Sequence, residues 1–227
     1  MPDVKQEFGA FGKMPGLGDF FRLNMPPGFV ENWDKWLQNC ILIARSNLGD
    51  RWQDCYMSAP IWRFTLSAGL AGSSPAIGVL MPSVDRVGRQ FPLTLARALP
   101  MDAEPATEHF KSGDEFEALE AIVLSALDDD MTRDELENSL SKIVKTRQDQ
   151  VLELSADAGH MTLQSGLQTS PEAYLAGVLC AQKYPNPSVW SASTPAGSRL
   201  LVCKGLPERA QIPGLFDLDA TVLQVMQ

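Results

Sequence analysis

Between Pro60 and Leu99 the sequence runs IWRFTLSAG (residues 61–69), AIGVLMPS (76–83) and FPLTLARAL (91–99). Each is a short, mostly apolar segment, and glycine, proline and serine separate one from the next. That pattern reads as strands joined by turns. Helical periodicity lies on both sides of it. Upstream, Phe29, Trp33, Trp36, Leu37, Cys40, Ile41 and Ala44 recur at three- and four-residue spacing, which predicts an amphipathic helix ending near Gly49. Trp33 and Trp36 mark its buried face. A second, shorter helix is expected from Arg51 to Ser58, with Trp52, Cys55 and Tyr56 inward. Further upstream, FGAFGKMPGLGDFFRLNMPPGF (8–29) is rich in glycine, phenylalanine and proline, which suits ordered turns lying on a surface better than a helix.

Downstream, Ser112-x-x-Glu115 and Thr132-x-x-Glu135 each have the form of a capping box ahead of an apolar run, so two helices are expected. The acids Asp128, Asp129 and Asp130 between them read as a solvated turn rather than a metal site. Ser170-Pro171-Glu172 opens another helix, which Pro185 and Pro187 stop. PSVWSAS (187–193), SRLLVCKGLP (198–207) and ATVLQVM (220–226) read as strands, with a short helical turn near Glu208 to Leu215. Interspersed helices and strands predict a single α/β domain spanning residues 1–227, its central sheet covered by helices, with α+β as the alternative.

Composition narrows the function. With 227 residues, 44% hydrophobic and 21% charged, the chain has enough apolar side chains for a real core and no long disordered run. A formal charge of -9 argues against a nucleic-acid footprint, which shows as clustered lysine and arginine, and points to a protein partner. Neither a membrane-span pattern nor a signal-peptide layout is present, so a cytoplasmic address is expected. Cys40, Cys55, Cys180 and Cys203 stand far apart among apolar neighbours and read as buried thiols.

Motifs for catalysis are weak. Gly9-x-x-Gly12-Lys13 has the wrong glycine spacing for a phosphate loop, and Met14 follows where serine or threonine should. Gly16-Leu17-Gly18 lacks the third glycine of a dinucleotide fingerprint. His109 and His160 are the only imidazoles, and neither lies in a nucleophile or metal motif. AGSSPAIG (71–78) does not give G-x-S-x-G. Asp19 and Asp85 with Lys13 are the set that a small hydrolase or nucleotide-dependent enzyme would use, because carboxylates beside a lysine and glycine turns can carry acid-base work.

Charge beside aromatic and apolar residues is the more telling feature. Lys13 and Asp19 fall in the first loop, Trp62 and Arg63 in APIWRF (59–64), and Asp85, Arg86 and Arg89 in GVLMPSVDRVGRQFPLT (78–94). Arginine offers a planar fork for carboxylates and is enriched at interfaces together with aromatic residues. These seven residues are the candidate partner-binding set. The competing reading is an internal clamp, in which Asp85 pairs with Arg86 or Arg89 inside its own loop.

The same stretches carry a family resemblance. FGKMPGLGDFFR (11–22), FVENWDKWL (29–37), APIWRF, GVLMPSVDRVGRQFPLT and KGLP (204–207) resemble, in order, the TagF/ImpM family of type VI secretion-associated proteins, most densely over residues 8–100. PSVWSAS departs from the family pattern by carrying Trp190 alone where tandem tryptophans are expected. The resemblance implies a cytoplasmic accessory protein without enzyme activity, cofactor or metal. It implies negative, post-translational control of the secretion machine through a forkhead-associated scaffold protein. A stoichiometric subunit of the machine is the structural alternative. Some family members are fused to a phosphatase domain, and 227 residues are too few to hold both.

Overall fold

A seven-stranded sheet, antiparallel throughout, runs through the protein in the order β2-β1-β5-β4-β3-β8-β9. Its strands are β1 (Gly9–Gly12), β2 (Phe21–Leu23), β3 (Trp62–Leu66), β4 (Ala76–Met81), β5 (Leu93–Ala98), β8 (Pro187–Thr194) and β9 (Gly197–Lys204). A separate hairpin is formed by β6 (Glu153–Ala156) and β7 (Met161–Gln164). The computed structural model describes residues 7–143, 153–156, 161–164 and 171–220. The expected strand from residue 220, the cap at Ser170 and His160 lie outside those residues, apart from Ala220 itself. Helices cover both faces of the sheet, as the sequence predicts, and the antiparallel pairing gives that architecture its α+β form.

On one face lie α1 (Phe29–Leu48), α2 (Trp52–Ser58) and the single turn α7 (Pro213–Phe216). The spacing that predicts α1 places Phe29, Trp33, Leu37, Cys40, Ile41 and Ala44 inward, and Gly49 at φ 53 ends it. Trp33 is fully buried, with ring centroids 4.9 Å from Phe64, 4.7 Å from Trp36 and 6.1 Å from Trp190, the last pair parallel to within 3°. Its indole N–H donates to Thr94 Oγ1 at 2.8 Å, so the one polar atom of the ring is satisfied inside the core.

The opposite face is covered by α3 (Pro105–Lys111), α4 (Gly113–Ser125) and α5 (Arg133–Ser141), and α6 (Pro171–Lys183) packs against α3. Phe116, Leu119 and Val123 of α4 meet Ile77, Val79, Leu93 and Leu95 of the sheet. Two forked ion pairs pin α4 down. Arg97 reaches Glu115 at 2.6 and 2.9 Å, and Arg63 reaches Glu120 at 2.7 Å through each of two nitrogens. With helices on both faces, β4 and β5 are buried along their whole lengths; β4 is accordingly a continuous apolar run, and the two polar residues of β5, Thr94 and Arg97, are hydrogen-bonded to Trp33 and Glu115.

Two expectations are corrected, and one helix is added. The N-terminal segment lies on the surface only in part: residues 18–20 are exposed, but β1 sits between β2 and β5 and is buried throughout. Glycine permits this, because a Cβ at Gly12 would run into the carbonyl oxygen of Pro92. The Ser112 box does not form. Ser112 makes no side-chain cap, and Glu115 turns to Arg97 instead. Helix α3, unforeseen from the sequence, is capped by Glu104, which accepts from Thr107 N at 2.8 Å. The Thr132 box forms as expected. Cys40, Cys55 and Cys203 are buried and Cys180 is partly so, all as free thiols, and burial pushes the Cys203 thiol up to about 11.

His109 of α3 is buried against the sheet between two hydroxyls, Thr65 Oγ1 at 3.4 Å and Ser191 Oγ at 2.8 Å. Burial, helped by the nearby Arg63 charge, lowers its pKa to about 3. The unfolded chain protonates this group near pH 6.5, so acidification favours unfolding. Between pH 6 and 5, where carboxylates contribute little, stability in urea is expected to fall with a slope of up to about 1.4 kcal/mol per pH unit. His109→Gln should remove that component, and an unchanged slope would show that the imidazole is charged in the folded state.

Candidate functional site

Strands β1 and β5 are neighbours, and Phe11 of one pairs with Thr94 of the other. The turn that leaves β1 (residues 13–20) and the loop that enters β5 (82–92) therefore emerge at the same end of the sheet. The second loop is a tight hairpin tip. Gly88 N donates to Asp85 O at 2.8 Å, Asp85 N donates to Arg89 O at 3.1 Å, and Gly88 takes φ 79, a conformation that favours glycine. Tyr56 braces its base, donating to Ser83 O at 2.7 Å and accepting from Ser83 N at 3.1 Å.

Asp85 joins the two loops. Its side chain is fully buried, and Oδ2 accepts from Lys13 Nζ at 2.9 Å and from Arg89 Nε at 2.6 Å. Oδ1 accepts from Val87 N at 3.1 Å and Arg89 N at 2.9 Å. Burial alone would raise the carboxyl pKa. The hydrogen bonds from Lys13, Arg89 and Val87 outweigh that and hold it well below the usual carboxylate range. From the same hairpin, Arg86 donates through its backbone to Leu17 O at 3.2 Å and through NH2 to Gly16 O at 2.7 Å. Arg89 NH2 reaches Gly18 O at 2.8 Å. Phe20 closes the roof: its ring lies 4.8 Å from Lys13 Nζ and 4.7 Å, edge-on, from Phe91.

The candidate residues therefore separate by depth. Lys13, 4% exposed, and Asp85, 2% exposed, lie beneath the surface as the internal clamp. Trp62, 3% exposed, is interior too, donating to Leu215 O at 2.8 Å on the α1 face. Arg63 projects to the opposite face and is engaged with Glu120. These four were expected at a partner surface, and the correction has one cause: each finds a buried or helix-borne partner far away in sequence. Arg86, Arg89 and Asp19 are at the surface. Asp19 accepts from Phe20 N at 2.8 Å and does not join the Lys13–Asp85 pair. The clamp in GVLMPSVDRVGRQFPLT is thus Asp85 with Arg89 and Lys13, while Arg86 holds backbone carbonyls.

Two residues absent from the sequence-based set complete the surface. Phe20 is 48% exposed and Val87 is 73% exposed. For Phe20 the available signal is strand alternation, since Phe21 and Leu23 turn inward on β2. For Val87 it is an apolar side chain at the tip of a charged turn.

The Asp85 carboxylate is hydrogen-bonded to Lys13, Arg89 and two backbone amides, and the lysine is its counterion, so the pair ties the two loops. Replacing Asp85 by Asn would leave the buried Lys13 without its counterion. At pH 7 the melting temperature is expected to fall by on the order of 10 °C. The stabilisation is present above the unfolded-state pKa and is lost on acidification, so the gap to wild type should narrow below about pH 4. A variant as stable as wild type at neutral pH would contradict the assignment.

Comparison with known proteins agrees with this architecture. The family model described as the TagF N-terminal domain, type VI secretion system-associated, matches residues 9–143, more than half of the chain. The crystal structure of PA0076 from Pseudomonas aeruginosa PAO1 is similar with a TM-score of 0.78 and 30% identity. The similarity covers 97% of this chain and 98% of that one. No curated protein sequence matches. Both ends of the clamp, Lys13 and Asp85, fall inside the matched region, and the chain belongs to the TagF family of type VI secretion system-associated proteins.

Proposed function

We propose that this type VI secretion-associated protein acts without catalysis, as a negative regulator that works in the cytoplasm by binding another protein of the system, a forkhead-associated scaffold. The observation that supports this reading most is the surface formed by residues 13–20 and 82–92. There a buried carboxylate fixes two loops from distant parts of the chain, and Arg86, Arg89, Phe20 and Val87 stand exposed above it. A preorganised surface of this kind loses little conformational entropy on docking. Arginine beside aromatic and aliphatic side chains is the composition of an interface hot spot. Docking there restrains the scaffold, and release restores secretion.

Arg86 separates binding from folding, because its side chain is exposed and, among the described residues, its guanidinium hydrogen-bonds only to the Gly16 carbonyl. In a pull-down of the cognate forkhead-associated protein, Arg86→Ala is expected to weaken binding by about tenfold while leaving the melting temperature within a few degrees of wild type. Undiminished binding by a stably folded variant would place the interface elsewhere.

A further inference from the structure

The two-loop surface has a chemical polarity that goes beyond its being a docking site. Arg89 commits Nε to Asp85 and one NH2 hydrogen to Gly18 O, and Arg86 commits one NH2 hydrogen to Gly16 O. Among the described residues no acceptor takes the remaining N–H groups of either guanidinium. Both side chains are therefore anchored at one corner and have their other donors facing out. Phe20, Val87 and Asp19 are exposed on the same two loops, and Gly16 packs against the backbone oxygens of Asp129 and Met131 in the acidic turn. The one carboxylate in direct contact with Arg89, Asp85, is already saturated by Lys13 and backbone amides. Arg86 and Arg89 thus present free guanidinium donors beside apolar side chains, with Asp19 exposed on the facing loop.

We infer that this surface takes an acidic peptide segment of its protein partner, one in which an aspartate or glutamate stands beside an aromatic or aliphatic residue. The carboxylate engages the outward N–H groups of Arg86 and Arg89, and the apolar neighbour covers Phe20 and Val87. The uncommitted donors of the two anchored guanidiniums carry the assignment. Anchored guanidiniums bind a planar carboxylate at two points with little further ordering, and desolvation by the surrounding apolar side chains strengthens the contact. The inference rests on reading these loops as a docking surface, but it fixes the partner's chemistry independently of which protein supplies the segment.

The test uses the whole chain, immobilised, and a phage-displayed random peptide library as the probe, so it does not depend on the scaffold. Peptides enriched on the wild-type protein are expected to pair Asp or Glu with an apolar residue. They should bind Val87→Glu more weakly by about tenfold and Val87→Lys no more weakly than wild type. Val87 donates only its backbone N–H to the clamp, so neither substitution removes a side-chain hydrogen bond. Arg86→Glu should abolish capture. Replacing the acid by Gln in a synthetic version of an enriched peptide should do the same. Lack of enrichment, enriched peptides without excess acid, or equal binding to Val87→Glu and Val87→Lys would overturn the inference. If the scaffold fails to bind wild-type protein while acidic peptides still require Arg86, the partner assignment of the preceding section fails and this one stands. Phosphatase treatment of a bound protein partner should leave its affinity unchanged; loss of binding would identify phosphate as the recognised group and contradict the carboxylate assignment.

Discussion

A carboxylate removed from water must be neutralised and hydrogen-bonded where it lies, and Asp85 satisfies that demand with groups from two loops. Lys13 comes from the turn after β1, 72 residues away, and Arg89 and the backbone amides come from its own hairpin. Removing any of these would leave a buried charge or lone pair unmet. The geometry of both loops follows from that constraint. Arg89 is drawn in by Nε and so turns its far edge outward. Lys13 is roofed by Phe20, which in turn rests on Phe91. What is exposed at this end of the sheet is set by what is buried beneath it.

The clamp works only because the sheet brings its two ends together. β1 lies between β2 and β5, so the chain's first hairpin is inserted beside a strand that is formed some eighty residues later. The insertion is close, with Gly12 against the Pro92 carbonyl. Below it, Trp33 stacks on Trp190, packs at a tilt against Phe64 and donates to Thr94, which ties α1 to the sheet through packing and to β5 through a hydrogen bond.

Much of this was legible in the sequence where the signal is local. The three apolar runs of residues 61–69, 76–83 and 91–99 became β3, β4 and β5, the periodicity of Phe29 to Ala44 became α1, and Thr132 with Glu135 formed its reciprocal cap. Local signals misled where a long-range partner competed. Glu115 has the spacing of a capping residue but makes a forked pair with Arg97, a stronger interaction than an exposed cap. The glycines around Phe11 suggested turns, whereas the sheet uses small residues there for close approach. Lys13 and Trp62 looked like surface chemistry because their partners lie 72 and 153 residues away, separations that no motif encodes, whereas the Asp85–Arg89 half of the clamp, four residues apart, was legible as the competing reading. Tandem tryptophans are absent from β8 without loss to the core, since Trp190 alone faces Trp33 and the next position, Ser191, reaches His109 on the other side.

The Asp85-tied loops are the proposed binding face. Hydrogen–deuterium exchange of the whole chain with and without the proposed forkhead-associated partner tests it. Slowed exchange is expected in residues 14–20 and 84–90, with the buried strands β4 and β5 unchanged. Protection confined to the outer surface of α1 or to the exposed strand β9, with both loops unaffected, would contradict it.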